Sequence, residues 1–395
     1  MRKSALFYLG LVVTVLVLLG FVVLFSASEA NGIRFGKDPY FFVKRQAVFL
    51  VSSVILCAIV AKLDYRIWRG WRLFGKFPFL TILFALVVLA LLIAVFAFPA
   101  VKGSQRWIPL GRIRLQPSEL AKLATGVVVA VWMDLQSWKV ELFGRGAFVP
   151  FVLIWIFAGP IVLEPDFGST MVVGAAGFLV MFLAGTKFVH LLPFGAAGVL
   201  GVLALILRNP NRVRRLGPFV QKFASFVSGD GGAGAAAAVT AAAKDPAAYQ
   251  MEHSLTAINN GGIWGRGLYE SLEKHSYLPE AHTDFIFSIG AEELGVFFSI
   301  AVIVLFIVFF LLAVKIARWS DDRLGRLLVA GMGFLIFFQA SFNLGVVSGA
   351  LPTKGMALPF FSYGGTNLLS SAFAIGTIFS VGIHSGRDRK RWKQI

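Results

Sequence analysis

Ten stretches of this chain are apolar for about the 17–25 residues that a helix needs to cross the hydrocarbon core of a bilayer. They run over residues 5–26, 45–63, 77–98, 117–136, 148–164, 167–185, 188–207, 285–314, 327–347 and 360–383. Ten such runs leave too little polar surface for soluble domains. Only 14% of the 395 residues are charged and 57% are hydrophobic, against about 25% and 45–50% in ordinary soluble proteins. The expected fold class is an all-α polytopic membrane protein of about ten transmembrane helices, forming a single integral membrane domain over 1–395. The first run follows Met1-Arg2-Lys3 and ends near Ser26-Ala27-Ser28. It is too long for the roughly 7–15-residue core of a cleaved signal peptide and reads as an uncleaved span.

The formal charge is +17, and its placement orients the bundle, because short cytoplasmic loops favour Lys and Arg. With the N-terminus inside, Lys62, Arg66, Arg69, Arg72 and Lys76 share one cytoplasmic loop and Lys315, Arg318, Arg323 and Arg326 another. The basic tail 387–393 then also lies inside, so both termini are cytoplasmic. The segment 208–284 becomes a large extracytoplasmic loop between the seventh and eighth spans. It carries eight more basic residues, and Lys102, Arg106, Arg112 and Arg114 crowd a short outer loop where the rule disfavours them. An anionic ligand at the outer leaflet would compensate for that placement. The basic residues form no continuous patch, which excludes nucleic acid as the partner.

The single cysteine, Cys57, lies inside the second span and reads as a small buried hydrophobe. The five histidines are scattered without a metal-binding spacing, and no phosphate-binding loop or dinucleotide fingerprint is present. Ionisable residues in or beside spans are the informative ones, because each is costly in hydrocarbon and so faces a partner or a wet cavity. Pro117 suits the first helical position of the fourth span, and Glu119 lies in its first turn. Glu119 and Lys122 are spaced i, i+3 and can pair. Two readings stay open: a structural ion pair, or a cavity for an anionic substrate lined by Lys122 and Arg114.

Glu164-Pro165-Asp166-Phe167-Gly168 forms an outer turn whose two carboxylates invite an acid–base or metal reading, but a turn with helix capping explains Asp166 and Gly168 more cheaply. In the long outer segment, 229–243 is rich in Gly and Ala, and Gly261-Gly262-Ile263-Trp264-Gly265-Arg266-Gly267 is a turn that lets backbone approach a surface or ligand closely. Asp284 stands where this segment meets the eighth span. It can cap the helix that follows, or serve as a general base whose pKa burial raises. Glu292 and Glu293, two turns further in, have no counter-ion at i±3 or i±4 and need partners from other elements, in a bundle-locking or a catalytic role. Between the last two spans, Leu351-Pro352-Thr353-Lys354-Gly355 and Pro359-Phe360-Phe361-Ser362-Tyr363-Gly364-Gly365 form an irregular outer re-entry. Such backbone is tolerated near a membrane only where protein covers it or it lines a cavity.

Gly103-Ser104-Gln105-Arg106-Trp107-Ile108, Gln116–Lys122, Leu278–Glu293 and Pro352–Thr366 together resemble the signature of the SEDS family (shape, elongation, division and sporulation) over nearly the whole chain. Leu-Pro-Glu-Ala-His-Thr-Asp-Phe-Ile-Phe is a highly specific run. Asp38–Gln46, Leu163–Gly168 and Pro352–Gly355 are more similar to the division branch than to the elongation branch. The Gly/Ala run 229–243 departs from the family pattern.

The resemblance implies a peptidoglycan glycosyltransferase in the bacterial cytoplasmic membrane, at the division septum. Its substrate would be lipid II, the undecaprenyl-pyrophosphate-linked disaccharide-pentapeptide. Its partners would be a class B penicillin-binding protein and other divisome membrane proteins. The family's essential acidic residue corresponds to Asp284, and Arg114, Lys122 and Lys354 correspond to basic residues tied to activity. With Arg106, Arg112 and Glu119 these are the candidate substrate-binding positions. The pyrophosphate leaving group already activates the donor, so no nucleotide or ATP is needed, and a divalent cation such as Mg or Mn bridging the pyrophosphate is compatible with the residues, although no dedicated metal motif exists. The rival functions are a lipid II flippase, a non-catalytic division scaffold, and an elongation or sporulation paralogue. A flippase should carry charges along a path through both leaflets, whereas these gather at the outer end of the bundle.

Overall fold

The computed structural model describes residues 2–34, 38–70, 78–100, 104–111, 113–207, 246–274, 278–279, 281–352 and 355–385. Each expected apolar run is a helix: α1 (Arg2–Arg34), α2 (Phe41–Lys62), α3 (Phe79–Ala94), α4 (Pro117–Leu135), α5 (Val149–Leu163), α6 (Phe167–Leu183), α7 (Phe188–Leu207), α9 (Ile286–Arg318), α10 (Arg323–Val347) and α11 (Gly365–His384). Among the described residues, seven helices combine the length and the hydropathy of a membrane span, and α6 and α7 are shorter apolar helices. The remaining one, α4, is charged at Glu119, Lys122 and Asp134 and is buried along most of its length. It survives in the bundle because other helices, not lipid, surround it.

Helical period decides which side of each span faces lipid. On α9, Phe298, Val302, Phe306, Phe309 and Ala313 are buried, while Phe297, Ile300, Val304, Ile307 and Leu311 are exposed one step round the helix. The centre of the bundle is α10, which packs against α4, α6, α9 and α11, while α11 lies along α2 and α9 along α1. Helices α2 and α3 are peripheral and mostly exposed. Cys57, expected to be buried, is therefore only partly covered.

Irregular backbone collects at the expected outer end. A two-stranded antiparallel hairpin, β1 (Ile108–Leu110) and β2 (Ile113–Leu115), pairs Pro109 with Arg114 and precedes α4. The long outer segment is not loop throughout. It contains α8 (Pro246–Gly261), which packs against α9. Local sequence obscured α8 because its apolar face is completed only by α9. The Gly/Ala run 229–243, with the basic positions Arg212, Arg214 and Arg215, lies outside the described residues.

Candidate active site

The first turn of α4 begins at Pro117, whose missing N–H and fixed φ suit that position. Glu119 and Lys122 then face the same way, into protein. Lys122 Nζ donates to Glu119 Oε1 and to Gln339 Oε1 of α10, both at 2.7 Å. Ser370 Oγ of α11 donates to the other carboxylate oxygen of Glu119 at 3.0 Å. Gln339 Nε2 continues the chain to Asn367 Oδ1 at 3.1 Å and to Ala357 O at 2.9 Å. Lys122 is 1% exposed. A charge pair this deep persists because its polar atoms are hydrogen-bonded, which offsets desolvation.

Asp284 is half-buried in the corner 281–285 that leads into α9. It does not cap that helix: the N-cap position falls at Phe285, which makes no side-chain cap bond. The side chain of Asp284 instead lies over Gly355, where an added Cβ would stand 2.1 Å from Oδ2. The corner and the re-entry loop are joined at several points. Asn343 Nδ2 donates to Asp284 O at 2.8 Å and to Met356 O at 2.5 Å. Ser362 Oγ donates to Thr283 O at 2.6 Å and accepts from Leu358 N at 2.7 Å. Tyr363 N donates to His282 O at 3.0 Å, and the His282 ring packs against Phe42 at 4.7 Å. Asp284 is thereby brought to the loop that follows Lys354. Lys354 itself and Arg112 lie outside the described residues.

The hairpin bridges the remaining positions. Thr366 Oγ1, in the first turn of α11, donates to Arg114 O at 3.2 Å and accepts from Gln116 N at 3.3 Å. The Arg114 side chain is exposed. Arg106 reaches sideways: Nε donates to Glu164 O at 3.2 Å and Nη2 to Pro165 O at 2.7 Å. It clamps the α5–α6 turn, in which Asp166 caps α6 by accepting from Ser169 N and Oγ. Both carboxylate oxygens of Glu164 are buried without a hydrogen-bond partner. Burial, reinforced by Asp166 and opposed by Arg106, pushes its pKa up to about 8.

Glu292 and Glu293 do take partners from elsewhere. Glu292 accepts from Ser271 Oγ and from Leu272 N at 3.1 Å. Glu293 accepts from Ser26 Oγ of α1 at 2.5 Å and Lys274 Nζ at 2.9 Å. These bonds fasten the outer segment to α9 and α1. Gln339, Asn343, Asn367 and Ser370 escaped the sequence reading, although amides inside apolar runs, like charges, signal a demand for partners. Among the described residues, no group of three or more His, Cys, Asp or Glu side chains is arranged to hold a metal.

Residues 7–386 match the sequence model of the FtsW, RodA and SpoVE family, described as "Cell cycle protein". A probable peptidoglycan glycosyltransferase FtsW of Trichlorobacter lovleyi is 33% identical over 374 residues, spanning 94% of this chain and 91% of that protein. One from Escherichia coli O6:H1 is 36% identical over 363 residues, spanning 90% and 81%. Among solved structures, a chain of a peptidoglycan synthase complex, described as coordinating polymerization and crosslinking, superposes with a TM-score of 0.71 at 26% identity, covering 97% of this chain and 98% of that one. The rod shape determining protein RodA of Thermus thermophilus gives a TM-score of 0.65 at 25% identity, covering 96% and 97%.

Proposed function

The chain belongs to the Cell cycle protein family, and from that premise we propose that it polymerises lipid II with Asp284 as general base. It is a multi-pass membrane peptidoglycan glycosyltransferase of the cell-division type. The setting proposed is the outer face of the bacterial cytoplasmic membrane at the septum, with a class B penicillin-binding protein as crosslinking partner and other divisome proteins around it. A complex that coordinates polymerization and crosslinking shares the fold, which supports that partner.

In the proposed reaction the acceptor's 4-hydroxyl oxygen attacks the donor's anomeric carbon. The new C–O bond forms as the bond to the pyrophosphate oxygen breaks, and the hydroxyl proton passes to the Asp284 carboxylate. An α-linked donor becomes a β-linked product by one displacement with inversion. Undecaprenyl pyrophosphate leaves with the bonding electron pair, and basic side chains stabilise its growing charge. The exposed Arg114 and the loop position Lys354 are the proposed contacts. Lys122, Glu119 and Arg106 are proposed to support the site from behind, since each already holds protein partners. The observation that carries this reading is the half-buried Asp284 fixed beside the irregular outer loop.

The test is polymerisation of lipid II by the full-length chain with its penicillin-binding partner. Asp284→Ala should cut the polymerisation rate by about 100-fold or more while the helical content and melting temperature stay near those of the wild type. Polymer formation by Asp284→Ala at the wild-type rate would remove the base. Transfer of labelled lipid II across a liposome bilayer by the chain alone, without polymer, would favour a flippase.

A further inference from the structure

Two amides one helical turn apart on α10 grip the outer re-entry loop at adjacent carbonyls. Gln339 Nε2 holds Ala357 O at 2.9 Å, and Asn343 Nδ2 holds Met356 O at 2.5 Å. Residues i and i+4 share one helix face, so both amides belong to a single edge of α10. That edge has a different task at each end. Through Gln339 it meets Lys122, and through Asn343 it meets the main chain of Asp284, whose carbonyl the same Nδ2 holds at 2.8 Å. One side-chain nitrogen thus ties together the corner that bears Asp284 and the loop that follows Lys354.

Asn343 is 2% exposed, and its Oδ1 has no hydrogen-bond partner. Two carbonyl acceptors dictate the amide's orientation, because the flipped amide would set oxygen against oxygen. A buried acceptor left without a donor costs stability, so the residue holds the two backbones together at the expense of its own oxygen. On the loop side the space is equally restricted. A methyl group on Gly355 would stand 2.1 Å from Asp284 Oδ2, well inside van der Waals contact.

We propose that Asn343 is a positioning residue for sugar transfer. It fixes the main chain of Asp284 against Met356, and Gly355 leaves the carboxylate the room to lie there. This rests on Asp284 being the base. A base works only within hydrogen-bond reach of the hydroxyl that it deprotonates, and a displacement of about 1 Å can lower a rate on the order of 100-fold. Asn343 touches no reacting atom in this scheme. Its contribution is to the rate of the chemical step and not to substrate affinity.

The experiment measures initial rates of lipid II polymerisation over a range of lipid II concentrations, with the full-length chain and its penicillin-binding partner. The variants are Asn343→Ala, Gly355→Ala, Asp284→Ala and the Asn343→Ala/Asp284→Ala double. The expected result is a fall in kcat of about tenfold or more for Asn343→Ala, by the same displacement argument, with KM changed by less than about twofold. Gly355→Ala should show the same split. In the Asp284→Ala background, Asn343→Ala should take nothing further from the residual rate, since both act through one group. If Asn343→Ala does not fold, Gly355→Ala and Asn343→Ser decide the question by the same split. Wild-type kcat in these variants, or a loss confined to KM, overturns the positioning role while leaving Asp284 in place. A further loss in the double variant overturns it too. Wild-type activity of Asp284→Ala removes the base assignment, and this proposal falls with it.

Discussion

At the scale of single residues, Lys122 and Glu119 show what a charge needs in order to sit among helices. Their pair is enclosed, and Gln339 and Ser370 complete its hydrogen bonding. Removing one partner strands the other, at a cost of about 3–5 kcal/mol, whereas replacing both by uncharged groups can be close to neutral. Lys122→Met should therefore lower the thermal midpoint in detergent more than Lys122→Met/Glu119→Gln does. Glu164 is the opposite case, a carboxyl with nothing to bond. Its pKa of about 8 in the fold exceeds the ordinary 4.5, so across that interval the folded chain keeps a proton that the unfolded chain has lost. The resulting stability is fully present below about 4.5 and is lost as pH rises through about 8. Melting temperatures should fall between pH 5 and pH 8, and Glu164→Gln should flatten that slope.

At the scale of elements, α9 is interrupted and repaired from outside. Gly295 has φ 75° and ψ −164°, a conformation essentially restricted to glycine, and it breaks the helical ladder. The turn after α8 supplies replacements: Arg266 N donates to Glu292 O, Gly267 N to Glu293 O, and Val296 N to Gly262 O, each at 3.0 Å. The two backbones touch, since a Cβ on Gly265 would stand 2.2 Å from Glu293 O. Gly265→Ala should part them, and hydrogen exchange at the amides of residues 266, 267 and 296 should quicken while that of α10 stays unchanged. The glycine run was legible in the sequence as a place of close backbone approach. What it approaches was not, because α9's break depends on one glycine whose strain local composition does not reveal.

At the scale of the whole molecule, the expected orientation places the α8–α9 turn outside and the α4–α5 connection inside. Trp264 is 82% exposed in the former and Trp138 81% exposed in the latter, so neither is shielded by protein. In a Cys57→Ser background, Trp264→Cys should react with a membrane-impermeant thiol reagent on intact spheroplasts. Trp138→Cys should react only after permeabilisation, and labelling in the reverse order would invert the topology. The same architecture explains why the candidate site lies at one end. The hairpin, α8 and the re-entry loop all belong to the expected outer end, while α10 runs through the centre and reaches the re-entry loop with Gln339 and Asn343.

The helices and the family were legible in the sequence, because transfer into lipid is set by windows of about 20 residues and the motifs are contiguous, while loop charge set only the expected orientation. Asp284, Glu119 and Lys122 stood out for the same reason, as charges bordering apolar runs. Their roles did not follow. Lys122 meets Gln339, 217 positions away, and Glu119 meets Ser370, 251 positions away. Arg106 turns toward the α5–α6 turn, and Asp284 leans over Gly355 instead of capping α9. Only the tertiary structure decided these pairings. A hydrogen bond depends on how far each helix is rotated and how closely it packs, and an isolated span in lipid has no preferred rotation until its neighbours bury one side.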